Sequence, residues 1–329
     1  LNIIFSGSFH NYVYDDTLFV SWNLIEDCNF NCYYCGTKQG RSYGKDNYKK
    51  LLNEELISNV IDLISSKTNY EKIDFTISGG EPSIIEEHLF EFLLNEIKSK
   101  LSTFKTTIRY MTNLSNEISY YKKLWNILDN SRILFSPTIH YQSNIDKFES
   151  KIKKLSYEPI IIDIRVPIIA KSIRMSIHRY EKLKKMISEN IFVIPKYIME
   201  FENKINKNTY DWIVRENEDI VYKQPLDLSF DTLILDDNDN VIWKKQNRDI
   251  FSNYYKKGIK WICYLKSNIF IDYKGLSWKC INDSNAGKII DNDIVLCEYP
   301  VCSCGHQIPK INLKYKKRVE KIKESFNES

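Results

Sequence analysis

Residues Ile25 to Gly36 read IEDCNFNCYYCG. Cys28, Cys32 and Cys35 fall within eight positions of one another, directly after an apolar-rich run from Leu18 to Leu24. The spacing is C-x3-C-x2-C, on what reads as the loop after a strand. Parallel α/β barrels keep their catalytic residues at the carboxyl ends of their strands, where this loop emerges. A cubane iron–sulfur cluster takes up to four thiolates, and so tight a loop can wrap three corners, leaving one iron open.

The surrounding pattern supports that placement. β-rich runs near 18–25, 72–78, 106–112, 132–139, 159–166 and 191–198 alternate with helical periodicity near 51–66, 85–100, 116–128, 144–155 and 174–190. Strand then helix, repeated, means parallel strands joined by right-handed crossovers. Six strands without a seventh and eighth predict an open, partial (βα)6 TIM-like barrel.

Within the strands, polar and apolar residues alternate with a period of two. Ile73, Phe75 and Ile77 share one face, and Asp74, Thr76 and Ser78 the other. Ser21 and Asn23, then Ser136, Thr138 and His140, then Asp163 and Arg165 are set apart from apolar neighbours in the same way. Helices cover the outside of such a sheet, so the polar set lines the lumen. A polar lumen suits a cavity for a polar ligand, or polar groups that fill space by pairing with one another.

After residue 200 the chain turns polar and irregular, and LSFDTLILDDNDNVIWKK reads as two strands about an Asp/Asn turn. The expected division is residues 1–200 as the barrel and 201–329 as a connector with a small, strand-rich, cysteine-containing domain. Five cysteines lie there: Cys263, Cys280, Cys297, Cys302 and Cys304. Gly275 sits at a turn between NIFIDY and LSWKC that returns Cys280 toward Cys263.

Eight cysteines in two separate groups point to metal in a reducing compartment rather than to a disulfide framework. A net charge of +4 gives no sign of a nucleic-acid partner, and the basic run from Lys310 to Lys323 reads as a solvated helical face. No stretch approaches the roughly 20 apolar residues that cross a bilayer, and no secretory signal opens the chain, so a cytoplasmic protein without a membrane partner is expected. The chain starts at Leu1 rather than at a methionine, which leaves a trimmed leader open.

Three features together resemble the radical S-adenosylmethionine (SAM) superfamily, over roughly residues 17–200. They are the cysteine spacing with Tyr34 just before the third cysteine, ISGGEP from Ile77 to Pro82 after the second strand, and Asn113 in MTNLS at the end of the third. The resemblance implies a [4Fe-4S] cluster with three cysteine ligands whose open iron chelates the amino and carboxylate groups of S-adenosylmethionine. Backbone around Gly79, Gly80 and Glu81 would meet the amino group, with Tyr34, Pro82 and Asn113 completing the cofactor-binding set. One electron, from a donor such as flavodoxin or ferredoxin, would then cleave the sulfonium to a 5′-deoxyadenosyl radical that takes a hydrogen atom from substrate. Gly79 and Gly80 permit positive φ or close backbone approach, and Pro82 presets φ where a helix is about to begin.

The five late cysteines resemble the SPASM and Twitch auxiliary-cluster extensions, the shorter Twitch type being closer. CEYPVCSCGH departs from the usual pattern with C-x4-C-x-C, which leaves the ligand set open: Cys263, Cys280, Cys302 and Cys304, with Cys297 as alternate. Structural zinc, with His306 taking part, competes for this domain, and a zinc-stabilised binding protein without catalysis is the rival reading of the whole.

His140, Asp163 and Arg165 are the candidate catalytic residues. A guanidinium grips a carboxylate or phosphate through two bonds, and a histidine moves a proton at neutral pH. An Asp163–Arg165 pair that merely props the barrel is the plainer alternative. An auxiliary cluster able to accept an electron favours a two-electron oxidation, with epimerisation or peptide crosslinking close behind. Only about 16 residues precede the first strand, so the expected substrate is a small molecule such as a sugar or nucleotide derivative rather than a peptide.

Overall fold

The computed structural model describes residues 2–7, 16–35, 47–129, 131–169, 172–198, 230–236, 238, 240–246, 261–264, 267–278, 294–297 and 310–327. The chain divides into two compact units. One comprises Val20–Asn217 with Ile271–Leu276, the other Leu1–Phe19, Glu218–Phe270 and Ser277–Ser329.

β1 (Asn2–Gly7) opens the chain. The barrel unit then alternates as expected: β2 (Thr17–Ile25), α1 (Glu54–Ser65), β3 (Lys72–Gly79), α2 (Glu87–Lys100), β4 (Lys105–Thr112), α3 (Ile118–Ile127), β5 (Arg132–Pro137), α4 (Ile145–Leu155), β6 (Ile161–Ile169), α5 (Ile173–Lys184) and β7 (Ile191–Ile198). Strands β2 to β7 lie side by side in chain order. Ladders β3–β4, β4–β5, β5–β6 and β6–β7 are parallel, and Ser78 at the end of β3 donates to Asn23 near the end of β2. Among the described residues no strand joins β7 back to β2, so the six form an open, partial barrel.

Local chemistry explains the elements. Asn53 caps α1 by accepting from the Leu56 amide, with Glu54 and Glu55 in the first turn. Asn144 caps α4 by accepting from the Asp146 and Lys147 amides. Ile57, Val60, Ile61 and Ile64 recur at helical spacing on the buried face of α1, and Leu89, Phe90, Leu93, Leu94 and Ile97 do the same on α2. Ile73, Phe75 and Ile77 of β3 are buried as the alternation requires. Each such side chain contributes about 1.5–3 kcal/mol by leaving water. The turn Asp272–Leu276 packs into this unit too: Trp22 Nε1 donates to the Asp272 carbonyl at 3.2 Å, and Gly275, at φ 77°, sits against Leu56.

The second unit adds β8 (Phe230–Leu235), β9 (Val241–Gln246), β10 (Trp261–Tyr264), β11 (Asn268–Ile271), β12 (Ser277–Trp278), β13 (Ile294–Cys297), β14 (Lys310–Asn312) and α6 (Lys316–Asn327). Its six-stranded sheet runs β13-β10-β14-β1-β8-β9, with antiparallel pairing throughout. The β8–β9 turn is held by Asp236 Oδ1, which accepts from the Asn238 and Asn240 amides at 2.9 and 2.7 Å. A division at residue 200 departs from these units at the start of the chain and at Ile271–Leu276. β1 pairs with β8 and β14, so the start of the chain belongs with its end; six residues are too short a run to announce a distant partner. On α6, Val319 is fully buried while Lys316, Lys317 and Lys321 are exposed, as a solvated basic face should be. Among the described residues no helix is long and apolar enough to cross a membrane.

Candidate functional site

The loop leaving β2 carries Cys28 and Cys32 buried and Cys35 half-buried. It folds back on itself through the Cys35 amide, which donates to the Cys32 carbonyl at 3.0 Å. Its foot is laced to the end of β3: the Gly80 amide donates to the Ile25 carbonyl at 2.6 Å and the Glu81 amide to the Asp27 carbonyl at 2.8 Å. A Cβ on Gly80 would stand 1.8 Å from the Asp27 oxygen, and one on Gly79, at φ 121°, 2.3 Å from the Ile25 oxygen. The two glycines are thus required by the backbone of the cysteine loop itself, before any ligand is considered.

The Glu81 side chain is buried and spends both carboxylate oxygens inside the protein. Oε1 accepts from the Ser83 amide at 3.1 Å and from Thr112 Oγ1 at 2.6 Å, and Oε2 accepts from the Asn113 amide. This ties the end of β3 to the end of β4. Pro82 starts a single 3-10 turn, Pro82–Ile84, and the α-helix follows only at Glu87. Asn113 donates through Nδ2 to Asn29 Oδ1 at 2.7 Å, so it touches the cysteine loop. The next residue, Leu114, is at φ 59°, where a branched side chain is strained. Lys151 of α4 holds that strained segment, donating to the carbonyls of Leu114, Ser115 and Asn116.

The segment after β5 supports the cysteine loop from the other side. The Tyr34 hydroxyl lies 2.8 Å from His140 Nδ1, with the two rings stacked. Burial, then Cys32, pushes the Tyr34 phenol well above its ordinary value. A neutral phenol can donate to Nδ1 or accept from it, so this contact is open to either tautomer of His140. Tyr141 donates to the Asn31 carbonyl at 3.1 Å, and Gln142 Oε1 accepts from the Asn31 amide at 2.9 Å while lying 3.9 Å from Cys32 Sγ. Arg179 of α5 gathers this segment by donating to the carbonyls of His140, Tyr141 and Ser143.

Deeper in the lumen Asp163 is 2% exposed and faces two guanidiniums. Its Oδ2 accepts from Arg109 at 3.1 Å and from Arg165 at 3.3 Å, with Ser136 at 3.4 Å. Arg165 also points at Met111 Sδ, 3.7 Å away. Asp74 is half-buried as a residue, but its Oδ1 is sealed off and has no hydrogen-bond partner among the described residues. Burial raises its carboxyl above the ordinary 3.8, with Arg109 and Arg132 opposing. A carboxyl raised in the folded state contributes stability that is complete below its unfolded value and is lost as pH rises through the folded one. Asp74→Asn should therefore exceed the parent chain by roughly 1 kcal/mol at mildly alkaline pH and fall level with it toward pH 3.8. Urea melts across that range check the convergence.

These elements enclose a cavity of about 280 Å³ at the carboxyl ends of the strands. Cys28, Cys32 and Cys35 form one wall, and Gly79, Gly80, Glu81, Met111, Asn113 and His140 face them. Of the candidate catalytic residues His140 lines the cavity, while Asp163 and Arg165 lie behind Met111. Among the described residues no three histidine, cysteine or carboxylate side chains converge on a single metal ion. A cubane makes no such demand, because each cysteine binds a different iron. Three thiols lining one cavity without converging on a single point therefore fit a cluster better than a zinc ion.

A model of a 4Fe-4S single cluster domain matches residues 17–153. No curated protein sequence matches the chain. Among solved structures, anSMEcpe with bound AdoMet is similar at a TM-score of 0.57 and 14% identity, covering 88% of this chain and 81% of that one. The same protein with bound AdoMet and Cp18Cys peptide gives 0.55 and 14%, over 84% and 78%. The fold is that of the radical SAM enzymes. Streptococcus suis SuiB bound to S-adenosylmethionine aligns more loosely, at 0.45 and 13% over 87% and 64%.

Within the radical SAM fold, the sequence marks the cysteines, the glycine pair and Asn113, and the structure brings all of them to one cavity. Arg109, Gln142, Lys151 and Arg179 escape sequence reading. Arg109 had a usable signal, since it alternates with Ile108 and Tyr110 as the other lumen residues do. Gln142 and Arg179 had none, because their roles depend on loops meeting in space. In the second unit Cys263 is buried on β10. Its strand pairs with β13, where Cys297 is opposite Trp261, two residues from Cys263. Cys280, Cys302, Cys304 and His306 lie outside the described residues, as does the side chain of Cys297.

Proposed function

We propose that the chain is a radical SAM enzyme in which Cys28, Cys32 and Cys35 hold a [4Fe-4S] cluster with one open iron. The observation that carries this is the cavity itself, with three thiols on one wall facing the Gly79–Gly80 turn and Asn113. When bound, the cluster and S-adenosylmethionine supply one-electron cleavage of the sulfonium and a carbon radical able to remove a hydrogen atom from substrate.

The chain's own residues bind and orient. The glycine turn offers backbone at the cavity wall, where no side chain can intrude. Asn113 is held by Asn29 on one side and by the Glu81-anchored end of β4 on the other, so its carboxamide is preset rather than mobile. Tyr34 stands beside the thiol wall and orients the ring of His140 through their hydrogen bond and stacking. His140 is then the candidate proton carrier, and Arg165, behind Met111, the candidate grip for a substrate carboxylate or phosphate.

The finer reading is a two-electron oxidation of a small molecule such as a sugar or nucleotide derivative. An auxiliary [4Fe-4S] cluster drawn from Cys263, Cys280, Cys297, Cys302 and Cys304 would accept the second electron. The register that sets Cys297 two residues from Cys263 supports counting Cys297 among its ligands. Flavodoxin or ferredoxin would supply the first electron, in a cytoplasm that keeps the thiols reduced. A second reading, modification of a peptide, is favoured by one finding: a fold neighbour holds AdoMet together with a peptide.

Anaerobic purification with iron and sulfide analysis tests the proposal. Two cubanes' worth of iron per chain, and 5′-deoxyadenosine on adding dithionite and S-adenosylmethionine, are expected. Stoichiometric zinc with no cleavage would instead establish the zinc-stabilised binding protein.

A further inference from the structure

Arg179 presents an electrostatic imbalance. It projects from α5 and is 9% exposed, and its three acceptors are all neutral carbonyls, those of His140, Tyr141 and Ser143. No carboxylate among the described residues pairs with it. Burial lowers its affinity for the proton, and the electrostatic neighbour opposing that is Tyr34, which lies between Cys32 and Cys35. A buried cation without a countercharge is costly, and buried charges are as a rule paired.

The segment it holds is the one that shapes the cysteine loop. His140 meets Tyr34, Tyr141 takes the Asn31 carbonyl, and Gln142 takes the Asn31 amide beside Cys32. A cubane on three thiolates carries net negative charge and gains another on reduction, and net charge and nearby polar groups set its potential.

We infer that Arg179 is a positioning residue whose buried charge is the counter-ion of the cluster, stabilising its reduced state while its three hydrogen bonds hold the supporting segment. The inference rests on the reading that Cys28, Cys32 and Cys35 bind a cluster. That reading is checked first, on the parent chain, by its iron content and the electron paramagnetic resonance signal of the reduced form.

The test compares Arg179→Gln and Arg179→Lys in the full chain, reconstituted anaerobically, by redox titration followed by electron paramagnetic resonance. Glutamine keeps a donor to the carbonyls but loses the charge, whereas lysine keeps the charge and loses the fork. At a poise where the parent cluster is half reduced, the R179Q ratio of reduced to oxidised cluster should fall about tenfold, which is about 59 mV for a one-electron couple. R179K should stay close to the parent. Loss of iron from R179Q with retention in R179K also supports the inference, since charge rather than shape is then what the cluster requires. An unchanged or raised potential in R179Q, or an equal shift or equal loss of iron in both variants, overturns it.

Discussion

Alanine at Cys28, Cys32 or Cys35 is expected to leave a chain that folds but no longer yields 5′-deoxyadenosine. On the proposed reading each sulfur is one corner of a three-point attachment, so the loss of any one breaks it. Losing an outer partner of a metal site typically costs 10–100-fold in affinity or activity, and a ligand should cost more than roughly that. Folding should survive, because the loop is held independently through Gly80 to Ile25, Glu81 to Asp27 and the Asp27 carboxylate, which takes the Tyr48 amide at 2.6 Å. The measurement is paired: cleavage product by chromatography, and secondary structure by circular dichroism. Cleavage at the parent rate in any one of the three variants would remove the basis for the proposed cluster.

The second large effect concerns stability. Asp163→Asn keeps the shape of the side chain but leaves Arg109 and Arg165 facing each other in the lumen without their shared anion. Breaking a buried pair by removing one partner costs about 3–5 kcal/mol, and burial together with the neighbouring Arg165 already holds Arg109 below its ordinary value. Urea unfolding of D163N should show a loss of that size. Adding Arg165→Met should recover part of it, since one cation then remains where two repelled. This outcome would mark Asp163 as the prop of the barrel. A chain that keeps its stability and loses only activity would place Asp163 among the catalytic residues instead.

Much of this arrangement is legible in the residues. Alternation with period two predicts which faces of β2, β3, β5 and β6 are apolar, and Ile73, Phe75, Ile77, Phe135, Ile162 and Ile164 are all buried. The strand ends agree closely, and the cap residue Asn144 starts α4 within one residue of the expected position. The helix expected to reach 190 stops at Lys184, since the polar, exposed stretch that follows has no apolar face to bury. Extending the same alternation to β4 would have placed Arg109 in the lumen. Catalytic assignment was harder: an arginine or aspartate on a lumen face looks the same whether it awaits a substrate or is already paired.

What the chain's order of residues determined alone is local: six strands and five helices in alternation, three thiols on the loop after β2, and glycines where a backbone had to pass. Those follow from periodicity and φ, which act over a few residues. Tertiary structure decided what is non-local. It set β1 beside β8 and β14, turned Glu81 inward to join two strand ends, and sent Arg179 to carbonyls nearly forty residues away. Such contacts arise from packing among segments distant in the chain, and no short-range pattern encodes which distant partner a side chain will meet.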